Sequence, residues 1–125
     1  NFREFPMRAV LKDIYSPDTD DLILYQPPIH DNFSILVTAL VGTYDKEGMD
    51  SVDIEVCTPL WMLSLLEKED AVLGRGYLLV KEYDYPKIYE KIKRLVESCG
   101  GDHWPQIGEK LSRIGYWEFE DYRDL

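Results

Sequence analysis

The chain has 125 residues, 45% of them apolar and 30% charged, a composition typical of one globular domain and not of a disordered segment. Acidic residues outnumber basic ones by 24 to 14, and the net charge is −10. Such a charge repels nucleic acid and acidic membranes and attracts basic proteins. No apolar run approaches the ~20 residues of a membrane-spanning helix. We therefore expect neither nucleic acid nor a membrane as a partner.

The first six residues stand apart from the pattern that follows. The chain begins with Asn1 instead of Met, and Met7 opens a cleaner alternation of apolar and polar residues. No basic stretch is followed by an apolar one and small residues, so no signal peptide is expected. We expect residues 1–6 to be an extension added for expression or a disordered tail. Residues 7–125 are expected to form a single domain.

Three segments in the first half have the pattern of β-strands. They are residues 7–15, 33–43 and 51–57, with a long connection after the first and a hairpin turn at 44–48 in which Gly48 can take a positive φ. In the first strand Leu11 and Tyr15 are predicted to share one side. The third strand alternates most clearly: Val52, Ile54 and Val56 face one way, and Asp53, Glu55 and Cys57 the other. This split is typical of an antiparallel strand with one face exposed.

The second half alternates between helical and extended patterns. Thr58 and Pro59 suit the start of a helix that ends near Glu69, and residues 77–83 form a fourth predicted strand. Two further helices begin at Asp84 and Asp102, with apolar stripes of Ile88, Ile92, Leu95 and Val96 and of Ile107, Leu111 and Ile114. Residues 116–120 form a short fifth strand. The order predicts an α+β domain with a largely antiparallel sheet of four to five strands and about three helices packed on one face.

Residues capable of catalysis or metal binding are few and poorly spaced. His30, His103, Cys57 and Cys99 lack the short-range pairing of a zinc site, and Gly100-Gly101 separates Cys99 from His103. Gly74-Arg75-Gly76 precedes a strand, and Asp102 would repel phosphate from the helix after Gly100-Gly101, so no phosphate loop is expected. No serine lies in a GxSxG context. We expect both cysteines to remain thiols, with a single Cys57–Cys99 bridge as the alternative. We predict no catalytic residue, no metal and no cofactor.

Acidic residues cluster beside aromatic ones, which indicates a protein-binding surface. Charges steer association and aromatic anchors supply much of the affinity at protein interfaces. One cluster spans the hairpin and the outward side of the third strand, and another follows Trp117. The residues predicted to contact a partner are Asp45, Glu47, Asp50, Asp53, Glu55, Glu118, Glu120 and Asp121. Trp117 and Phe119 can equally pack into the core while the neighbouring acids face water.

Several stretches resemble a known bacterial family. They are residues 7–16, Phe33-Ser34, Asp53-Ile54-Glu55-Val56-Cys57-Thr58-Pro59-Leu60-Trp61 and Trp117-Glu118-Phe119-Glu120-Asp121-Tyr122. Together they are similar to the Immunity protein 8 family, from Met7 to about Tyr122. The family is associated with polymorphic toxin systems, including those of contact-dependent growth inhibition. The resemblance implies a cytoplasmic, non-enzymatic inhibitor that is made beside its toxin and binds the toxin's C-terminal domain. It supplies no catalytic residues and does not name the toxin.

The charge extends this expectation to the kind of toxin. Nucleases need basic surfaces to hold polyanions. We therefore expect the toxin to be a basic nuclease. The acidic chain either occupies the nuclease's basic surface as a mimic of nucleic acid, or docks beside that surface and blocks entry of the substrate. The alternatives are a general acidic interaction module without a toxin partner and an enzyme with an unrecognised pair of carboxylates. The chain is expected to be a monomer or a weak dimer.

Overall fold

The helices and strands follow the helical and alternating patterns of apolar residues along the chain. The structure is a computed structural model that describes residues 5–120. In chain order the elements are β1 (Met7–Arg8), β2 (Val10–Tyr15), β3 (Ser34–Gly42), β4 (Asp50–Cys57), α1 (Pro59–Glu69), β5 (Tyr77–Leu79), α2 (Tyr85–Glu97), β6 (Gly100–Gly101), α3 (Trp104–Leu111) and β7 (Tyr116–Trp117). This arrangement confirms the predicted α+β class.

A five-stranded sheet organises the domain. Its order is β2-β3-β4-β5, and β7 also pairs with β4. The pairs β2–β3, β3–β4 and β4–β7 are antiparallel. Strands β4 and β5 are parallel, because α1 connects them and carries the chain back so that β5 runs in the same direction as β4. A separate two-stranded ribbon joins β1 to β6 in antiparallel register. The glycines predicted to end the second helix therefore also form a short strand.

The first predicted strand is divided and kinked. β1 and β2 are separate, and the register of β2 shifts between Leu11, opposite Val41, and Asp13, opposite Leu40. This β-bulge inserts Lys12 and reverses the alternation after it. Consequently Ile14 is buried like Leu11, while Tyr15 is about half exposed. The prediction that Leu11 and Tyr15 share one side of the strand is wrong for this reason.

The core lies between the sheet and two amphipathic helices. Val52, Ile54 and Val56 of β4 are buried, as predicted from their alternation. Helices α2 and α3 cover them with the predicted apolar stripes, except that Leu95 and Ile114 are only partly buried and Ile114 lies beyond the end of α3. The buried members of the stripes are Ile88, Ile92, Val96, Ile107 and Leu111. Both cysteines are buried and free, as expected for thiols. Among residues 5–120 no helix combines the length and hydrophobicity that crossing a membrane requires.

The helix starts differ in detail from the predicted caps. Thr58 precedes α1, but its Oγ1 accepts a hydrogen bond from the backbone N–H of Phe33 at 3.1 Å instead of capping the helix. Asp84 caps α2 by accepting from the N–H of Lys87 at 3.3 Å. At α3 the N-cap position belongs to His103, one residue after the predicted Asp102. The helix starts are thus predictable to within about a residue, and the capping contacts less so.

Two details distinguish the remaining segments from their predictions. The fourth strand ends at Leu79 instead of continuing to residue 83. Gly76, just before it, has a φ of 85°, whereas Gly48 in the predicted hairpin turn does not take a positive φ. Phe5, from the segment set aside in the sequence, packs its ring against Gly100, and the Nζ atom of Lys110 lies 4.1 Å from the ring centroid.

Candidate functional site

The sheet has one face turned away from α2 and α3, and we call it the outer face. Because Val52, Ile54 and Val56 point into the core, the residues between them on β4 point the other way. Asp53 and Glu55 therefore lie on the outer face. The register of the strand pair places Thr38 opposite Asp53 and Leu36 opposite Glu55. The alternation predicted for this strand from the sequence is confirmed.

Hydroxyl groups of β3 hold both carboxylates in place. The Oγ1 atom of Thr38 donates a hydrogen bond to Oδ1 of Asp53 at 2.7 Å. The Oγ atom of Ser34 donates to Oε2 of Glu55 at 2.5 Å. A carboxylate can accept about four hydrogen bonds, so each retains acceptor capacity for a cation on another molecule. The two charges are thus positioned before any partner arrives.

Basic side chains are scarce around these carboxylates. The sequences of β3, β4, β5 and β7 contain no lysine or arginine. Lys12 of β2 donates to the carbonyl oxygen of Lys46 at 3.0 Å, and Arg75 near β7 is paired with Glu120. The charge of Asp53 and Glu55 is therefore not neutralised by any side chain of β3, β4, β5 or β7.

The effect of this charge is visible on neighbouring groups. Burial, and then the charge of Glu55, raise the pKa of Tyr77, which lies opposite Glu55 in the β4–β5 pair. The same two causes, in the same order, raise the pKa of the Cys57 thiol to about 11. Cys57 therefore remains a protonated thiol at neutral pH and is not a reactive nucleophile.

Tyrosine and leucine side chains surround the acidic centre. Tyr15 of β2, Tyr116 of β7 and Leu79 of β5 are each about half exposed. The ring of Tyr116 stacks against the guanidinium of Arg75, whose Cζ lies 4.2 Å from the ring centroid. Tyrosine rings combine apolar area with a hydrogen-bonding hydroxyl, which suits them to protein interfaces. The outer face thus carries charge at its middle and aromatic groups at two of its sides.

The structure separates the eight acidic residues that the sequence groups together. Asp53 and Glu55 share the outer face, and Asp45 and Glu47 are exposed in the connection between β3 and β4. Asp121 lies outside the described residues.

The other three have partners within the chain. Asp50 lies on the core side of β4 and accepts from the indole Nε1 atoms of Trp104 and Trp117. The Glu118 carboxylate accepts a hydrogen bond from the backbone N–H of Ser51 at 2.6 Å. Glu120 forms its ion pair with Arg75.

Asp13 and Tyr77 are outer-face residues that the sequence did not single out. Asp13 is exposed and lies opposite Leu40, and it reaches this face only because of the bulge in β2. A signal for the bulge exists in the sequence, since the apolar residues Leu11 and Ile14 are three positions apart where a regular strand requires an even spacing. Tyr77 was assigned to a strand, but its neighbour Glu55 could not be inferred without the strand pairing.

The residues considered for metal binding do not gather in one place. Among residues 5–120, no group of three or more His, Cys, Asp or Glu side chains could hold a metal ion. His30 and His103 are both exposed, and the Nε2 atom of His30 lies 3.9 Å from a carboxylate oxygen of Glu82.

The fold and the outer face define a small α+β domain with an open, acidic sheet face. Comparison with family models identifies which one: the model described as Immunity protein 8 matches residues 9–122, so the chain belongs to the Immunity protein 8 family. It is therefore an immunity protein directed against a toxin, as the resemblance in the sequence implied. No curated protein and no solved structure gives a significant match to the chain.

Proposed function

We propose that the chain neutralises its cognate toxin domain by laying the outer face of its sheet on a basic surface of that domain. The observation that carries this proposal is the fixed pair Asp53 and Glu55, set in strands β3, β4, β5 and β7 that contain no basic residue. Opposite charge on the partner raises the encounter rate and sets the orientation of docking. The activity is binding, without turnover of a substrate.

The chemistry of the outer face favours a nuclease as the toxin. A nuclease holds its polyanionic substrate with lysine and arginine side chains, which an acidic surface can cover. The chain as a whole carries a charge of −10, so its long-range field also directs it toward such a surface. Inhibition then follows from occlusion of the basic surface that would otherwise bind nucleic acid.

The contact residues that we propose are those free to face a partner. They are Asp53 and Glu55 at the centre, Asp13 beside them, and Asp45 and Glu47 at the hairpin end. A standard interface covers ~800 Å² on each partner, about a tenth of the 8425 Å² of accessible surface. We propose that Asp50, Glu118 and Glu120 support this surface through their contacts within the chain, and Asp121 remains a prediction from the sequence.

Co-expression with the toxin encoded beside the chain tests the proposal. The Asp53→Lys/Glu55→Lys variant is expected to lose protection of cells and to stop co-purifying with the toxin's C-terminal domain. The matched control is Glu90→Lys/Glu109→Lys, which makes the same change of charge on α2 and α3, on the opposite side of the domain. Since both control residues are exposed, protection should persist.

Two other results would reject parts of the proposal. If the outer-face variant protects cells as well as the control does, the acidic face is not the binding surface. If the unaltered chain fails to co-purify with the toxin domain, direct binding to that domain is rejected and the alternative of a general acidic interaction module is favoured. Competition distinguishes occlusion from docking beside the active site: an excess of oligonucleotide displaces the chain from the toxin only if both occupy the same surface.

A further inference from the structure

The helix α1 differs from the other two helices in what it buries. Three residues each of α2 and α3 are buried, whereas α1 has none, and none of its residues packs against the core cluster. Leu60 and Leu63 are 48% and 54% exposed. They are three positions apart, so they lie on the same side of the helix. This helix therefore presents apolar side chains that residues 5–120 leave about half exposed.

Helix α1 itself adjoins the outer face, through Trp61. Trp61 of α1 lies with its ring centroid 6.5 Å from that of Tyr77, and Tyr77 is the register partner of Glu55. Leu79, two residues further along β5, points the same way as Tyr77 and is 56% exposed. Adjacent strands lie ~4.8 Å apart, so Leu79 and Tyr77 are one strand away from the acidic centre.

A shallow cleft joins the helix to the strand. Its volume is about 410 Å³, and Leu60 and Leu79 line it together with Pro59 and Val80. Asp31 and Lys81 complete the lining. We call Leu60, Leu63 and Leu79 the apolar lobe.

We propose that the apolar lobe is the second part of the toxin-binding surface and receives an apolar projection of the toxin that lies beside its basic surface. This inference rests on the proposed function and adds what the partner must carry: positive charge opposite Asp53 and Glu55, and an apolar group about one strand to the side. In such an arrangement the charges govern the rate of association. The desolvated apolar contact governs the rate of dissociation.

Charge argues against a second copy of the chain as the occupant. Each copy carries −10, and the lobe lies one strand from Asp53 and Glu55, which no basic residue of β3, β4, β5 or β7 offsets. Two copies meeting through the lobe would bring these like charges together, which opposes association. A basic partner gains from the same charges, so the lobe and the outer face can act as one continuous surface.

The test uses the C-terminal domain of the toxin encoded beside the chain, inactivated by mutation, in stopped-flow and dissociation measurements. Leu60→Ala/Leu63→Ala is expected to raise the dissociation rate constant at least tenfold and to leave the association rate constant and its salt dependence within twofold. Leu79→Thr, made separately, should act in the same direction. The matched control, Ile23→Ala/Leu24→Ala, removes two exposed apolar side chains from the connection between β2 and β3 and should change neither rate by more than twofold.

Each remaining outcome has a defined meaning. If the dissociation rate constant is unchanged in both lobe variants, the apolar lobe is rejected. The acidic-face proposal is then tested separately, by the association rate constant of Asp53→Asn/Glu55→Gln. Absence of any complex with the toxin domain rejects the lobe and the proposed function together. A concentration-dependent dimer of the unaltered chain, seen by sedimentation and abolished by Leu60→Ala/Leu63→Ala, would show that the lobe binds a second copy and overturn the inference.

Discussion

The carboxylate of Asp50 accepts a hydrogen bond from the indole Nε1 of Trp117 at 2.9 Å, across a separation of 67 residues. The same oxygen accepts from Nε1 of Trp104 at 2.5 Å. Both indoles pack partly buried against the core. One acidic residue at the start of β4 thus connects the sheet to α3 and to β7, and its charge is directed inward.

Loss of this acceptor should destabilise the fold. Asp50→Ala leaves two partly buried N–H donors without a charged partner, so we expect the free energy of unfolding to fall by about 2–4 kcal/mol. Urea denaturation followed by tryptophan fluorescence measures this change. Asp45→Ala, at an exposed position of the adjacent connection, is the control and should lie within about 0.5 kcal/mol of the wild type. Equal stability of the two variants would contradict the structural role of Asp50.

Arg75 should be a second stabilising residue, because it binds the segment that follows α3. Its Nε atom donates to the carbonyl oxygen of Ser112 at 2.8 Å and one terminal nitrogen donates to that of Gly115 at 3.1 Å, in addition to the ion pair with Glu120. A lysine cannot reproduce this forked geometry. We expect Arg75→Lys to cost about 1–3 kcal/mol.

Thermal unfolding of Arg75→Lys against Arg94→Lys measures this cost. Arg94 pairs with Glu90 at 3.8 Å on an exposed surface, and its replacement should change stability little. A melting temperature of Arg75→Lys equal to that of Arg94→Lys would be inconsistent with the proposed network.

Gly108 is required by close packing between α3 and the last strand. A Cβ atom at this position would clash with the Cη2 atom of Trp117. Alanine normally stabilises a helix interior relative to glycine by about 1 kcal/mol. Here we expect Gly108→Ala to destabilise by about 1–3 kcal/mol because the indole must move. At Gly74 an added Cβ meets nothing within 4 Å, so Gly74→Ala should be tolerated in the same urea assay.

The buried thiol of Cys57 should make stability fall at alkaline pH. Burial, and then the charge of Glu55, raise its pKa from 9.0 to about 11. An unfolded chain loses this proton near pH 9, while the folded chain keeps it. The contribution of the thiol is therefore complete below pH 9 and is lost as the pH rises to about 11.

Comparison with Cys57→Ala isolates this effect from that of the tyrosines. Between pH 9 and 11 the wild type should lose up to about 2–3 kcal/mol more of its unfolding free energy than the variant does. Parallel pH profiles for the two proteins would show that the thiol does not titrate with the expected shift.

The parts of the fold that depend on local pattern were predictable. The alternation of Val52, Ile54 and Val56 against Asp53 and Glu55 identified both faces of β4, and the helical stripes identified the core sides of α2 and α3. The bulge after Leu11 was missed because one inserted residue reverses a period of two without changing the composition. The exposure of α1 also escaped prediction, since its leucines repeat as they would in a core helix.

The candidate site was predictable only where local pattern decides which way a side chain points. Asp53 and Glu55 are acids on a strand face, and the sequence placed them correctly. The two partners of Asp50 lie 54 and 67 residues away in the sequence, and the partner of Glu120 lies 45 residues away. These contacts depend on tertiary pairing that composition does not encode. Acidic clusters in a sequence therefore mix residues that face solvent with residues that hold the fold.

The most direct test of the acidic outer face is the association rate constant with the toxin's C-terminal domain, measured from low to high salt concentration. Asp53→Asn/Glu55→Gln should slow association about three- to tenfold at low salt and flatten its salt dependence. Glu90→Gln/Glu109→Gln, which removes the same charge from the opposite side, should follow the wild type closely. If the two variants slow association equally, or if neither does, the outer face does not direct binding to the toxin.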